Sequence, residues 1–465
     1  MSKDGPRTTL GVENPQHRTT TSVSRPRETN APSLTTLPLE ILSSVARSLC
    51  SLEEELSDQG VPDEVEADRR SLSSLSKTCK LFRRIAQPLV FSILSTESNR
   101  FVGLVRALVG RPDLAANVKA MYINGWGICY SNRSGREPWQ ITPEDALILN
   151  TALDQYTVLG DNQNPLRISA IGALADPNSV DDRELVGALA ALAILQCHNV
   201  EELVIRTEHW DMPSVLQPVA LNSLVSLEVS EADSDLGVTI GSGVAWMLAA
   251  APALRRVGGQ AVTNVVPELF HDNLRVLDLR ISGLCRNSFD AIAKGFPKLE
   301  KLVYSNGSSD LTWRQEVSPQ YAMRAMRQRR DTLKHLSLSW ERADPSSWTQ
   351  DGLLQSVACM TALEEISISS AGLSINKNVA DLDGSFFIKF LPPNIQEITI
   401  RETNAPWNIA PLAQIAPSHL LSLKRVQIVL SWRSTTPERE AGLKALFGTR
   451  GIELKFVRFG KYPFM

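Results

Sequence analysis

Cysteines are few and far apart: Cys50, Cys79, Cys129, Cys197, Cys285 and Cys359. No two make a CxxC knuckle, which argues against a zinc ribbon or a redox pair. The chain is too long and too poor in cysteine for a disulfide-stapled secreted scaffold. Free thiols in a reducing compartment, cytoplasmic or nuclear, are the simpler reading. The six histidines are scattered without an HExxH, so no metal is expected. Neither charge dominates, since 48 Lys and Arg against 51 Asp and Glu leave −3. That provides no basic field to hold nucleic acid. Long apolar runs are missing too. The longest, Val186 to Leu195, is broken only by Gly187. A membrane span needs about 20 apolar residues, so this segment reads as a core helix and no membrane partner is expected. The first residues lack the apolar h-region of a signal peptide, so the glycosylation patterns at Asn132 and Asn306 read as chance. GxSxG, GxxxxGK[ST] and a strand-linked GxGxxG are all absent. No catalytic residue and no cofactor is expected, and the chain reads as a non-enzyme.

What is present is an ordinary globular composition, 43% hydrophobic over 465 residues, enough for about three units of roughly 150 residues. Residues 1–33 are rich in Thr, Ser, Pro and Arg with few large apolar side chains. Such a segment cannot bury enough surface to offset its chain entropy, which predicts a disordered tail.

Residues 34–95 read as a small helical module. Pro38 suits a first helical position, and Glu40 complements the helix dipole. Ile41, Leu42, Val45, Ala46 and Leu49 follow at helical spacing. The acidic stretch 53–68, interrupted by Gly60 and Pro62, reads as a solvated loop. A second apolar stripe, Leu72, Leu75, Cys79, Phe82, Ala86 and Leu89, then advances by alternating threes and fours. A core this thin tends to need a neighbour or partner.

Two segments of this module carry a resemblance. Leu37-Pro38-x-Glu40-Ile41-Leu42 resembles the opening of an F-box. Leu72-x-x-Leu75-Ser76-x-Thr78-Cys79-Lys80-x-Phe82-x-x-Ile85-Ala86-x-Pro88-Leu89 resembles its second half. The acidic stretch between them is longer than the usual link. The resemblance implies a three-helix module docking on a Skp-type adaptor, and through it on a cullin-RING ubiquitin ligase. The implied adaptor contacts fall on Leu37, Pro38, Ile41, Leu42, Leu75 and Leu89.

Residues 96–465 carry a repeat of the form L-x-x-L-x-L with any aliphatic allowed. Copies include Val200-Leu203-Ile205, Leu274-Leu277-Leu279, Leu333-Leu336-Leu338 and Leu423-Val426-Ile428, with Leu254-Val257-Gly259 a degenerate one. From Val200 onward the copies step by 20 to 34 residues, the range of leucine-rich repeats with insertions. The gap from Val118 to Val200 is expected to hold one or two further copies, Leu166–Ile171 being a candidate. Helical stretches such as Leu185–Gln196, Phe289–Gly295 and Gly352–Cys359 alternate with the strands. Neither element can bury its apolar side alone, so neighbours must stack. The expected fold is α/β: a small all-α F-box module, then a leucine-rich-repeat solenoid with a concave parallel sheet and convex helices, similar to fungal F-box/leucine-rich-repeat proteins.

The x positions alternate to the concave face and are polar, with Arg280 and Arg401 among them. Trp126, Trp210, Trp340, Trp407 and Trp432 fall just past strands, where they either cap the core between repeats or gather on one rim. Tryptophan and arginine are enriched at binding hot spots, so these seven are the candidate target-binding residues. Arg324, Arg327, Arg329 and Arg330 read as a solvated helix face. The function implied is that of a substrate adaptor in a Skp–cullin–F-box ligase, with an unidentified target protein on the repeats. The alternative is a repeat scaffold without a ligase role, whose first helices cap the sheet. A cap would bury Leu37, Pro38 and Leu75, and an adaptor would leave them open.

Overall fold

The computed structural model describes residues 37–48, 63–95, 101–124, 141–156, 180–207, 220–231, 237–241, 244–307, 317–340, 356–369, 384–401, 409–430 and 436–458. The predicted tail, the Leu166–Ile171 candidate copy and Trp126, Trp210, Trp407 and Trp432 lie outside these residues.

Three helices open the fold: α1 (Leu39–Ser48), α2 (Asp63–Ser76) and α3 (Lys80–Val90). The Pro38 carbonyl accepts the first amides of α1, from Ile41 and Leu42, each at 3.1 Å. Leu42 and Ala46 of α1, Leu72 of α2, and Ile85 and Ala86 of α3 form one small core. Two expectations are corrected here. The acidic stretch is not a loop throughout, because α2 already begins at Asp63. The second apolar stripe is not one helix either. It breaks at Thr78, and Cys79 caps α3 by accepting the Phe82 amide at 3.5 Å. A stripe of constant period cannot show such a break, since both helices present the same face.

The remainder is a large parallel sheet flanked by helices. Twelve strands lie side by side in chain order, beginning with β1 (Ile93–Ser95), β2 (Ala120–Asn124), β3 (Glu202–Thr207) and β4 (Ser226–Glu231). Next come β6 (Arg256–Gln260), β8 (Val276–Ser282), β9 (Lys301–Asn306), β10 (His335–Ser339) and β11 (Glu365–Ser369). The far end is β12 (Glu397–Arg401), β13 (Arg425–Leu430) and β14 (Glu453–Arg458). The excursions β5 (Val238–Ile240) and β7 (Val262–Val265) pair separately. The aliphatic template positions stack in register, Met121 on Leu203, Leu203 on Leu227, and so on to Ile398 on Val426. All are buried in the main core.

Ala120 pairs directly with Glu202, so β2 and β3 are neighbours in the sheet with no described strand between them. Two helices are described there instead, α6 (Pro143–Leu153) and α7 (Val180–Gln196), which follow α4 (Phe101–Gly110) and α5 (Pro112–Ala115). The apolar run of α7 is almost wholly buried, packed against α4 and the sheet. No helix among the described residues is long and apolar enough to cross a membrane.

Gly259 explains the degenerate copy. A Cβ there would lie 2.5 Å from Val262 Cγ2. The chain turns at Ala261, with φ of 57°, and Val262 fills the space that an aliphatic residue fills in the other strands. The flanking helices α8 (Ala245–Ala250), α9 (Arg286–Gly295), α10 (Pro319–Met326), α11 (Gly384–Phe390), α12 (Ala410–His419) and α13 (Pro437–Gly448) complete the described fold. The predicted Gly352–Cys359 helix is absent over its described part, 356–359, which is a turn leading to β11.

Candidate interaction surfaces

Two surfaces stand out, one apolar and one polar. The first lies on α1. Leu42 and Ala46 point inward at 4% and 1% exposure. Ile41 and Val45, one turn apart on the outer side, are 49% and 53% exposed, and Leu37 and Leu39 are 39% and 43% exposed. Pro38 is exposed as well. Leu75 and Leu89 are half-buried against the small core. Of the six residues implied as adaptor contacts, Leu37, Pro38 and Ile41 are therefore open. Leu75 and Leu89 are partly open, and Leu42 is corrected to a core residue. Leu39 and Val45 were missed. Helical spacing gave one broad apolar face, and a three-helix core is wide enough to cover only half of it.

The second surface is the sheet face opposite the main core. Its two ends differ. Over β1–β3 it carries an apolar patch: Ile93, Ala120, Tyr122 and Val204 are buried beneath Val65 of α2. From β8 to β13 it is polar and forms a hollow of about 530 Å³. Asp278, Arg280, Lys301, Ser337, Thr399 and Arg401 are among its lining residues. Small serines at Ser337, Ser339 and Ser367 make its floor. Both Arg280 and Arg401 belong to the lining, as the alternation predicted. The Arg280 guanidinium grips Asp278 through two bonds of 3.0 and 2.9 Å. Arg401 Nε donates to Ser367 Oγ at 3.3 Å.

A bulge between Leu279 and Ser282 marks one rim of the hollow. Ile281 sits there at φ of 48°. A branched side chain in this region costs about 1–3 kcal/mol and persists only where its surroundings hold it. The Ile281 amide donates to Ser305 Oγ at 2.9 Å. Arg280 and Ile281 both lie within the bulge, which turns that end of β8.

Trp340 is not a rim residue. It is 1% exposed, packs edge-on against Tyr304, and donates its indole N–H to the Val317 carbonyl at 3.2 Å. A large ring one residue past a strand can fold back over the core, and the sequence alone does not tell the two directions apart. The basic cluster is corrected as well. Arg327 donates to the Ser356 carbonyl at 2.9 Å and Arg329 to the Pro297 carbonyl at 3.0 Å, so both staple neighbouring turns. Asn306 is 8% exposed, which leaves its glycosylation pattern inaccessible.

Titratable groups with shifted affinity for protons serve structure. Burial pushes the Cys197 thiol up to about 12. Burial also acts to raise Asp145, but hydrogen bonds from Thr142 and Arg106 outweigh it and hold the carboxyl below its usual range. Those contacts form a capping box at the start of α6 and an ion pair of 2.7 Å. Glu300 is likewise held down by Lys334 and Arg275 against the effect of burial. Among the described residues no three His, Cys, Asp or Glu side chains gather as metal ligands.

No protein-family model matches the chain, and no curated protein matches it in sequence. The two surfaces therefore carry the functional reading by themselves.

Proposed function

We propose that the chain is a substrate-recognition adaptor of a Skp–cullin–F-box ubiquitin ligase. The helices α1–α3 act as the F-box, and the repeats act as a leucine-rich-repeat target domain. One observation carries the reading: Leu37, Pro38 and Ile41 stand exposed while Leu42, in the same helix turn, is buried. Exposed apolar side chains clustered on one short helix favour a partner, and they fall where the F-box motif puts its Leu-Pro contact. The in-register parallel strands support the repeat reading. The polar hollow suits a protein segment better than an apolar small molecule. The chain supplies no reacting group in this scheme. It raises the effective concentration of a target lysine near the conjugating enzyme.

One observation favours a second reading. Val65 of α2 seals the open face over β1–β3, so the helical module also caps the sheet, as it would in a scaffold without a ligase role. Capture of the full chain by purified Skp-type adaptor separates the two. The adaptor reading expects a robust complex that a Leu37→Ala/Pro38→Ala variant loses with its unfolding midpoint unchanged. A folded wild-type chain that captures no adaptor leaves the scaffold.

A further inference from the structure

The hollow has one edge made of hydrogen-bond donors. At the C-terminal ends of their strands lie Arg280 on β8, Ser305 on β9, Ser339 on β10 and Arg401 on β12, whereas Ser369 of β11 is fully buried and accepts the Trp340 amide. Among the described residues no carboxylate interrupts this row. At the opposite strand ends the acids are already engaged: Glu365 with His335, and both Glu397 and Glu453 with Arg425. Within the lining, Arg280, Lys301 and Arg401 outnumber Asp278 and Glu397.

The corner beside Arg280 holds two further donors. Ser305 Oγ accepts the Ile281 amide, which leaves its hydroxyl proton to be given elsewhere. Asn306 lines the hollow at 8% exposure. Its Oδ1 accepts the Tyr304 hydroxyl at 3.1 Å, while its Nδ2 has no partner among the described residues. A buried amide left without a partner is costly and asks for an acceptor. The strained bulge at Ile281 fixes this corner, and Asp278 holds the Arg280 guanidinium in place.

We infer that the hollow binds an extended acidic segment of the target, one anionic side chain at the Arg280–Ser305–Asn306 corner and a second at Arg401. The inference rests on the target-binding reading above. Arg280 and Arg401 are four strands apart, about 19 Å at roughly 4.8 Å per strand, which an extended chain covers in about six residues. A carboxylate or a phosphate would satisfy the same donors.

The test is a fluorescence-anisotropy titration of the full chain with labelled Gly/Ser/Ala peptides. They carry two glutamates about six residues apart, two phosphoserines at that spacing, two glutamines, two lysines, or two adjacent glutamates. The spaced acidic peptides are expected to bind about tenfold more tightly than the glutamine peptide, as charge-assisted bonds exceed neutral ones, and the lysine peptide not at all. Whichever of glutamate and phosphoserine binds more tightly identifies the source of the charge. Arg280→Gln/Arg401→Gln should erase the preference without moving the unfolding midpoint. Asn306→Asp keeps the Tyr304 bond but swaps the donor for an acceptor, and should weaken acidic binding alone. Equal binding of the glutamine peptide, equal binding of adjacent glutamates, no acidic binding, or a preference that survives the arginine substitutions would each overturn the inference. Adaptor capture by the same preparation keeps the two readings apart. Capture without acidic binding removes only this inference, and acidic binding without capture removes only the ligase.

Discussion

One row of side chains crosses the open face of the sheet from end to end, and its two ends are built differently. It runs in register from Tyr122 and Val204 through Glu228, Gly258, Asp278 and Val303 to Ser337, Ser367 and Thr399. At Tyr122 and Val204 the row is roofed by Val65 and is fully buried. Ser337 and Ser367 are buried among their neighbours, Arg401 included, but no described helix lies over them, and the small hydroxyl side chains leave a hollow. Strand geometry is the same at both ends. What differs is whether a helix lies on top. Along this row the end that the module covers is apolar, and the uncovered end is polar except at Val303.

Substitutions along that row give the largest test of the contrast. Tyr122→Ala should cost about 3–5 kcal/mol, as for other buried aromatic truncations, read as a large drop in chemical-denaturation midpoint. Thr399→Ala, at the same position on β12, should stay within about 0.5 kcal/mol. Similar losses at both sites would mean that the far end is roofed as well.

A second test sharpens the contrast between α1 and the core behind it. Leu42→Ala removes a buried side chain and should cost about 2–4 kcal/mol. Ile41→Ala, its neighbour, should cost under about 1 kcal/mol because the side chain is already half in water. The expected loss for Ile41→Ala is in adaptor capture.

A smaller effect follows from the carboxylates. Asp145 and Glu300 are held below their ordinary range in the folded chain. Their stabilisation is therefore complete above the unfolded carboxylate value, about 4. It is lost as the pH falls through the lower folded values. The thermal midpoint should be level from neutral pH to about pH 5 and then fall. Asp145→Asn should lower the neutral-pH midpoint by about 1 kcal/mol of stability and reduce that fall, since the capping carboxylate is gone. A slope that is unchanged in the variant would remove Asp145 from the account.

The smallest effect concerns thiols. Cys359 is exposed and Cys197 is buried, with its proton held to about 12. The native chain should alkylate at Cys359 within minutes and at Cys197 only on denaturation, read by peptide mapping. Rapid labelling of Cys197 would place an opening beneath β3.

Most of the strand array was legible because one rule generates it. A strand buried on one side repeats its aliphatic residues at fixed spacing, so even the damaged copy at Gly259 could be placed. Three features escaped that rule. The strand β1 is only three residues long, too short to show a period. The break at Thr78 was hidden because α2 and α3 present the same face. The roof over Tyr122 depends on Val65, far away in sequence, and no local pattern announces it. The site was legible by position but not by direction: alternation put Arg280 and Arg401 on the open face, yet Trp340, one residue past its strand, turned into the core. The donor corner at Asn306 had no local signal, because it arises from a bulge that brings β8 against β9.

Hydrogen exchange on the full chain with and without purified Skp-type adaptor tests the division of labour most directly. The account predicts slowed amides at 39–48 on adaptor binding and no change over β8–β13. Protection on the polar hollow, or on no described segment, would contradict it.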